Sequence, residues 1–197
     1  MKLSFRKEKI IFFLFSLAKK KKACYNFFFQ TINSILFQKA NGNFCPKMQK
    51  DGEKAMKIID AHTHIFPDKI SEKVSKSIGG FYQMKYCAPA SVANLLKDGT
   101  AAGVSHYLVC SAAVTPDQTE TITDFMAQMA KDHDCFTALA SIHPCYRNFE
   151  EEIDRAVSLG LRGIKLHPDF QKFDIDDEKV FPLYRAIAKR GLPNTHV

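Results

Sequence analysis

From residue 56 onward, the sequence predicts an α/β fold built on a parallel sheet. Short apolar segments alternate strictly with segments of helical periodicity, as strands and crossover helices do in such folds. Three of the four complete predicted strands end in histidine, and functional side chains collect at this end of parallel strands. A barrel and a doubly wound sheet both satisfy the alternation, although no G-x-G-x-x-G motif follows the first strand.

Each element follows from its apolar spacing and its boundary residues. The predicted strands are short apolar runs at residues 57–61, 106–112, 135–142 and 161–166, and a fifth opens at 192–193. The predicted helices carry apolar residues three or four positions apart, at residues 68–78, 90–102, 119–131, 148–159 and 177–189. Four of them are expected to stop at glycine, namely at Gly79-Gly80, Gly103, Gly160 and Gly191. Asn148 and Glu151 predict a capping box at the start of the fourth helix.

The first 55 residues differ from the rest in charge. They carry twelve Lys/Arg against three Asp/Glu, whereas residues 56–197 carry sixteen against eighteen. Phe and Lys dominate without helix or strand periodicity, so we predict that residues 1–55 are a basic extension that is disordered or outside the native fold. The rival interpretations are a membrane-surface helix and a signal peptide, whose apolar run at residues 10–18 is followed by KKKK in place of a cleavage site.

Composition also limits the partners and the compartment. The mildly acidic residues 56–197 give no reason to expect a nucleic acid partner. A membrane is not expected, because the apolar run is shorter than the about 20 residues of a spanning helix. The six cysteines are scattered without a C-x-x-C pair, which favours the reducing cytoplasm over a disulfide framework. An oligomer stays possible.

His62 and His64 close the first predicted strand and are the candidate metal ligands. Residues two apart on a strand point to the same side, about 6 to 7 Å apart at the backbone, so two imidazoles can converge on one cation. Neutral imidazole is a preferred ligand of zinc and other late first-row metals. We therefore predict a divalent metal, zinc first, at His62 and His64, with Asp60 orienting the pair. The alternative is a pair of solvated loop histidines.

The segments IDAHTHIFPDKI, ASIHP and GIKLHPDFQ, in this order, resemble the amidohydrolase superfamily. They look most like the branch that holds small metal-dependent hydrolases and aminocarboxymuconate semialdehyde decarboxylase. The resemblance implies a parallel (β/α)8 TIM-type barrel, which typically needs about 250 residues. We therefore expect residues 56–197 to be the N-terminal half of a metal-dependent hydrolase barrel, truncated after about four βα units.

The resemblance implies a metal-activated water that attacks an amide, ester or lactone carbon of a small-molecule substrate. Within the same branch, the alternative is a metal-dependent non-oxidative decarboxylase, which is a carboxy-lyase. The family's catalytic Asp of strand eight is absent here, so the catalytic residue is unknown and we expect a truncated, weakly active or inactive fragment. A second alternative is a non-enzymatic fragment attached to a membrane through residues 1–55.

Four further residues stand at or near strand ends. Lys165 is expected to pair with a carboxylate or a substrate acid, although binuclear members of the superfamily use such a lysine, carbamylated, to bridge two metals. His167 and His143 each precede a proline, and each is either a substrate contact or a structural strand exit. His196 comes near the place of the family's strand-five histidine, but the preceding Asn-Thr is not an apolar run, so we interpret His196 as accidental.

Overall fold

All the described strands run parallel in the computed structural model, which describes residues 11–12 and 58–196. They are β1 (Ile11–Phe12), β2 (Ile58–His64), β3 (Val104–Cys110), β4 (Phe136–Ala138), β5 (Ala140–Ser141), β6 (Ile164–Lys165) and β7 (Asn194–Thr195). One sheet has the order β1-β2-β3-β4 and the other the order β5-β6-β7. Only Leu139 separates β4 from β5, so the predicted third strand is one extended segment that joins the two sheets.

Within each sheet, consecutive strands are neighbours: β2 lies beside β3 and β3 beside β4 in one sheet, and β5 beside β6 and β6 beside β7 in the other. A doubly wound sheet reverses its strand order at a switch point, whereas a barrel wall does not. The predicted parallel α/β fold is therefore confirmed, and the described strands follow the order of a barrel wall.

The helices pack their apolar sides against the strands. They are α1 (Asp68–Phe81), α2 (Val92–Ala101), α3 (Thr119–Asp132), α4 (Phe149–Ser158), α5 (Pro168–Gln171) and α6 (Phe181–Lys189), with 3₁₀ turns at Pro116–Gln118 and Glu178–Val180. Ile164 of β6 belongs to one buried cluster with Ile153 of α4 and Leu183 and Ile187 of α6. Burial of each such side chain stabilises the fold by about 1.5 to 3 kcal/mol.

The observed helix ends agree in part with the ends predicted from the sequence. Three of the predicted stop glycines have positive φ, namely Gly103, Gly160 and Gly191. Glycine suits these positions because it lacks the Cβ that disfavours positive φ. The stop at Gly79-Gly80 is wrong, because α1 continues to Phe81 and the positive φ comes at Gln83. The capping box is also wrong, because the Asn148 side chain makes no cap hydrogen bond.

Most of the basic extension lies outside the described residues, so its predicted character stays a prediction. Its two described residues, Ile11 and Phe12, pair in parallel with Ile58 and Ile59 at the outer edge of β2. None of the helices formed by the described residues is both long enough and apolar enough to cross a membrane.

Candidate metal centre

A β-bulge in β2 sets the direction of the two strand-end histidines. Asp60 pairs with Tyr107 and Thr63 pairs with Val109, so β2 has one residue more than β3 in this interval. Asp60 Oδ1 accepts a hydrogen bond of 3.1 Å from the backbone N–H of His62 within the bulge. Bulges occur beside active sites because the extra residue re-aims a side chain. Asp60 thus fixes the backbone from which the imidazole of His62 projects.

The rings of His62 and His64 face each other at the carboxyl end of β2. Their Nε2 atoms are 3.0 Å apart and their ring centroids 5.0 Å apart. Two nitrogen ligands of one tetrahedral zinc lie about 3.3 Å apart, given Zn–N distances of about 2.0 to 2.1 Å. The geometry therefore fits a shared cation. That these two residues bind a metal stays a prediction.

Both imidazoles are neutral at neutral pH. Desolvation by the surrounding protein, with a smaller contribution from the charge of Lys165, lowers the pKa of His62 from 6.5 to about 4. The same two causes lower the pKa of His64 well below 6.5. A neutral imidazole keeps a lone pair for a metal ion. The His62 side chain is only partly covered by the surrounding protein, so an ion at this point can be reached from solvent.

Cys110, at the end of β3, is the third side chain at this point. It pairs with His64 across the two strands, and its Sγ lies 3.9 Å from His64 Nε2. The ligand atoms of His62, His64 and Cys110, which we call the His–Cys cluster, all lie within 4.8 Å of one another. Burial raises the pKa of the Cys110 thiol to about 11. No role at the site was predicted for Cys110 from the sequence, although its place at a strand end was a usable signal.

Lys165 of β6 is fully buried beside this cluster. Its Nζ has no hydrogen-bond partner among the described residues, so the expected pairing with a carboxylate is not found there. Burial lowers the pKa of Lys165, and its charge in turn lowers the pKa values of His62, His64 and Cys110. An unpaired buried ammonium is costly, and the lowered pKa of Lys165 reflects this cost.

His167 follows β6 after one intervening residue, Leu166, and lies against aromatic side chains. Its ring stacks on Phe170, with centroids 4.0 Å apart, and its Nε2 lies 3.4 Å from Tyr82 Oη. Burial, with a smaller effect of Lys165, lowers the pKa of His167 from 6.5 to about 4. Tyr82 follows α1 and is 85 residues away in sequence, so no local pattern could have indicated this contact.

Gln171 joins the ends of three strand segments. Its Nε2 donates hydrogen bonds of 2.9 Å to the carbonyl of Ala113 and 3.1 Å to that of Ile142. Its Oε1 accepts a hydrogen bond of 2.8 Å from the backbone N–H of His167. The side chain is buried, so it fixes the strand ends that carry the site.

His143 lies outside the His–Cys cluster. Its Nδ1 accepts a hydrogen bond of 3.1 Å from the backbone N–H of Cys145, so the ring shapes the exit of the strand. This contact favours the structural interpretation of His143.

His196 is also outside the cluster. β7 forms despite its polar sequence, because Thr195 pairs with Lys165 through the backbone. His196 follows one residue later and so points to the opposite side, where its ring meets Phe173 and Tyr184. The Nε2 atom of His196 is buried without a hydrogen-bond partner among the described residues, and burial, with a smaller effect of Lys165, lowers its pKa to about 4. That His196 is accidental stays a prediction.

Comparison with known protein families assigns the chain to one of them. The amidohydrolase family model matches residues 59–197, which is more than half of the chain. The chain belongs to the amidohydrolase family. The matched region of this amidohydrolase contains His62, His64, Lys165 and His167, and the resemblance drawn from the sequence motifs is confirmed.

Two solved structures are similar to this amidohydrolase over part of their length. A probable 2-pyrone-4,6-dicarboxylic acid hydrolase from Acinetobacter baumannii, with citric acid bound, has 12% identity and a TM-score of 0.46, over 70% of this chain and 48% of that chain. A protein with the same provisional name from Pseudomonas putida has 17% identity and a TM-score of 0.45, over 70% of this chain and 47% of that chain. The chain thus spans about half the length of each. A search of curated proteins gives no significant match.

Proposed function

We propose that this amidohydrolase is a metal-dependent hydrolase whose cation is held by His62 and His64. The observation that carries the proposal is the approach of their Nε2 atoms to 3.0 Å at a strand end. A bound divalent cation, zinc first, supplies a Lewis acid for a carbonyl and an activated water for attack on an amide, ester or lactone carbon.

The residues around the pair supply binding and orientation. Asp60 fixes the backbone of His62, so only the side-chain torsions have to be ordered when a metal binds. Lys165 supplies a positive charge for a carboxylate of the substrate, because it is buried and lacks a partner among the described residues. Tyr82 Oη and His167 Nε2, 3.4 Å apart, offer hydrogen-bonding atoms, and His167 is near enough to Lys165 for its charge to lower the pKa of the imidazole. The expected substrate is therefore a small acid with a hydrolysable bond.

Lys165 also favours a second candidate, the metal-dependent decarboxylation expected from the same branch. A decarboxylase needs a carboxylate on its substrate, and an unpaired buried ammonium suits such a group. The two candidates differ in product, because hydrolysis adds water to a bond whereas decarboxylation releases carbon dioxide. Product analysis on carboxylate-bearing esters, lactones and aromatic acids separates them.

Metal binding tests the proposal directly. The full chain, His62→Ala and His64→Ala are dialysed against zinc, and the bound metal is measured. His133→Ala is the matched control, because His133 precedes β4 and so lies at the opposite end of the strands. We expect the chain and the control to bind zinc and the other two variants to lose it. Equal binding by all four proteins would overturn the proposal.

A further inference from the structure

We propose that Cys110 is a third ligand of the cation, so that the His–Cys cluster is a mixed imidazole–thiolate centre. The inference rests on the proposed function, because it assumes that His62 and His64 hold a metal. It goes further by adding a ligand from a second strand and by defining the class of metal that the centre takes.

The register of two parallel strands places the sulfur beside the rings. His64 and Cys110 are paired residues of β2 and β3, and the Sγ–Nε2 distance is 3.9 Å. A tetrahedral zinc with Zn–N of about 2.05 Å and Zn–S of about 2.3 Å sets this distance at about 3.6 Å. All three ligand atoms lie within 4.8 Å of one another, so side-chain rotation on the fixed strand backbones would bring them onto one ion.

The charge of Lys165 calls for an anionic ligand at the cluster, although burial raises the pKa of the free Cys110 thiol. Two neutral imidazoles contribute no negative charge, whereas the ammonium of Lys165 acts on His62, His64 and Cys110 alike. A divalent cation held by the imidazoles alone would be repelled by this ammonium. A Cys110 thiolate bound to the cation would offset its repulsion by Lys165 with a negative charge. Asp60 also acts on Cys110, but its carboxylate is outside the His–Cys cluster.

The donor set defines the metal class. Thiolate with imidazole favours zinc and related late metals over magnesium, calcium and manganese, which prefer oxygen. On binding, the S–H bond of Cys110 breaks, a sulfur–metal bond forms and the proton passes to solvent. Three protein ligands leave a fourth position open, as catalytic zinc sites do.

Cobalt(II) is the probe, because a thiolate ligand gives a charge-transfer absorption in the near ultraviolet that imidazole does not. The full chain, Cys110→Ser and Cys145→Ser are titrated with cobalt(II) under anaerobic conditions. Cys145 is an exposed cysteine outside the cluster and is the matched control. We expect the band in the chain and in Cys145→Ser and its loss in Cys110→Ser. Cobalt affinity in Cys110→Ser should fall at least about tenfold, since loss of even an outer-shell partner costs that much.

The results distinguish failure of the Cys110 ligand from failure of the proposed metal site at His62 and His64. If cobalt binds and the binding depends on His62 and His64, but the band is absent or survives in Cys110→Ser, the thiolate ligand is refuted and the imidazole pair stands. If the chain binds no cobalt, or if His62→Ala and His64→Ala bind it as tightly, both proposals fail. Cys110→Ala replaces the serine variant if a buried hydroxyl prevents folding.

Discussion

Replacement of Gln171 by leucine tests how the strand ends are held together. The change keeps the size of the side chain but removes two donors and one acceptor. The carbonyls of Ala113 and Ile142 and the N–H of His167 then lose their partners. Gln171 is only 3% exposed, so water is poorly placed to replace it.

Leaving a buried partner without its hydrogen bond costs about 1 to 3 kcal/mol, so we expect Gln171→Leu, which leaves three, to lower the free energy of unfolding by at least about 3 kcal/mol. Urea unfolding of the full chain, followed by circular dichroism, measures this difference. The slope against urea should stay unchanged, because the surface exposed on unfolding is the same.

Gln128→Leu is the matched control, because Gln128 is exposed on α3 and bonds only a neighbouring Asp132 carboxylate. We expect its free energy of unfolding to stay within about 0.5 kcal/mol of the parent value. The reasoning is refuted if Gln171→Leu unfolds at the same urea concentration as Gln128→Leu.

Four further predictions use the same unfolding assay. Gly163→Ala should destabilise the protein by about 1 to 3 kcal/mol, because a Cβ there would lie 2.8 Å from the backbone oxygen of Pro193. Gly80 lies in α1 with open space around the position of a Cβ, so Gly80→Ala should stabilise the protein by about 0.5 to 1 kcal/mol. If Gly163→Ala proved more stable than Gly80→Ala, the close packing of β6 against β7 would be contradicted. The pKa of His167 falls from 6.5 to about 4 on folding, so the folded protein binds a proton less readily than the unfolded chain. Metal-free protein should therefore lose stability as the pH drops from 6.5 to 4. His167→Asn should remove about 3 kcal/mol of that loss. An identical pH profile in His167→Asn would show that another group titrates. Lys165→Met should raise the free energy of unfolding at pH 7, because burial disfavours the ammonium, and a loss of stability would show that the charge has a partner.

Periodicity determined the order and type of most elements, because it reports which residues face the core. The element order from β2 to β7 agrees with the alternation in the sequence, although the predicted fourth strand shortens to Ile164–Lys165. The short helix α5 was not predicted, because a segment of four residues carries too little periodicity. The polar strand β7 forms because backbone pairing with β6 does not depend on apolar side chains.

The sequence by itself determined that His62 and His64 stand together at the end of a strand and that Lys165 and His167 end a later one. Only the tertiary structure decided that a bulge turns the two imidazoles toward each other and that Cys110, 46 residues from His64, joins them. The tertiary structure also decided that Tyr82 contacts His167, which is 85 residues away in sequence. The reason is physical: local propensity acts over a few residues, whereas strand register and helix packing are set by the burial of the whole core.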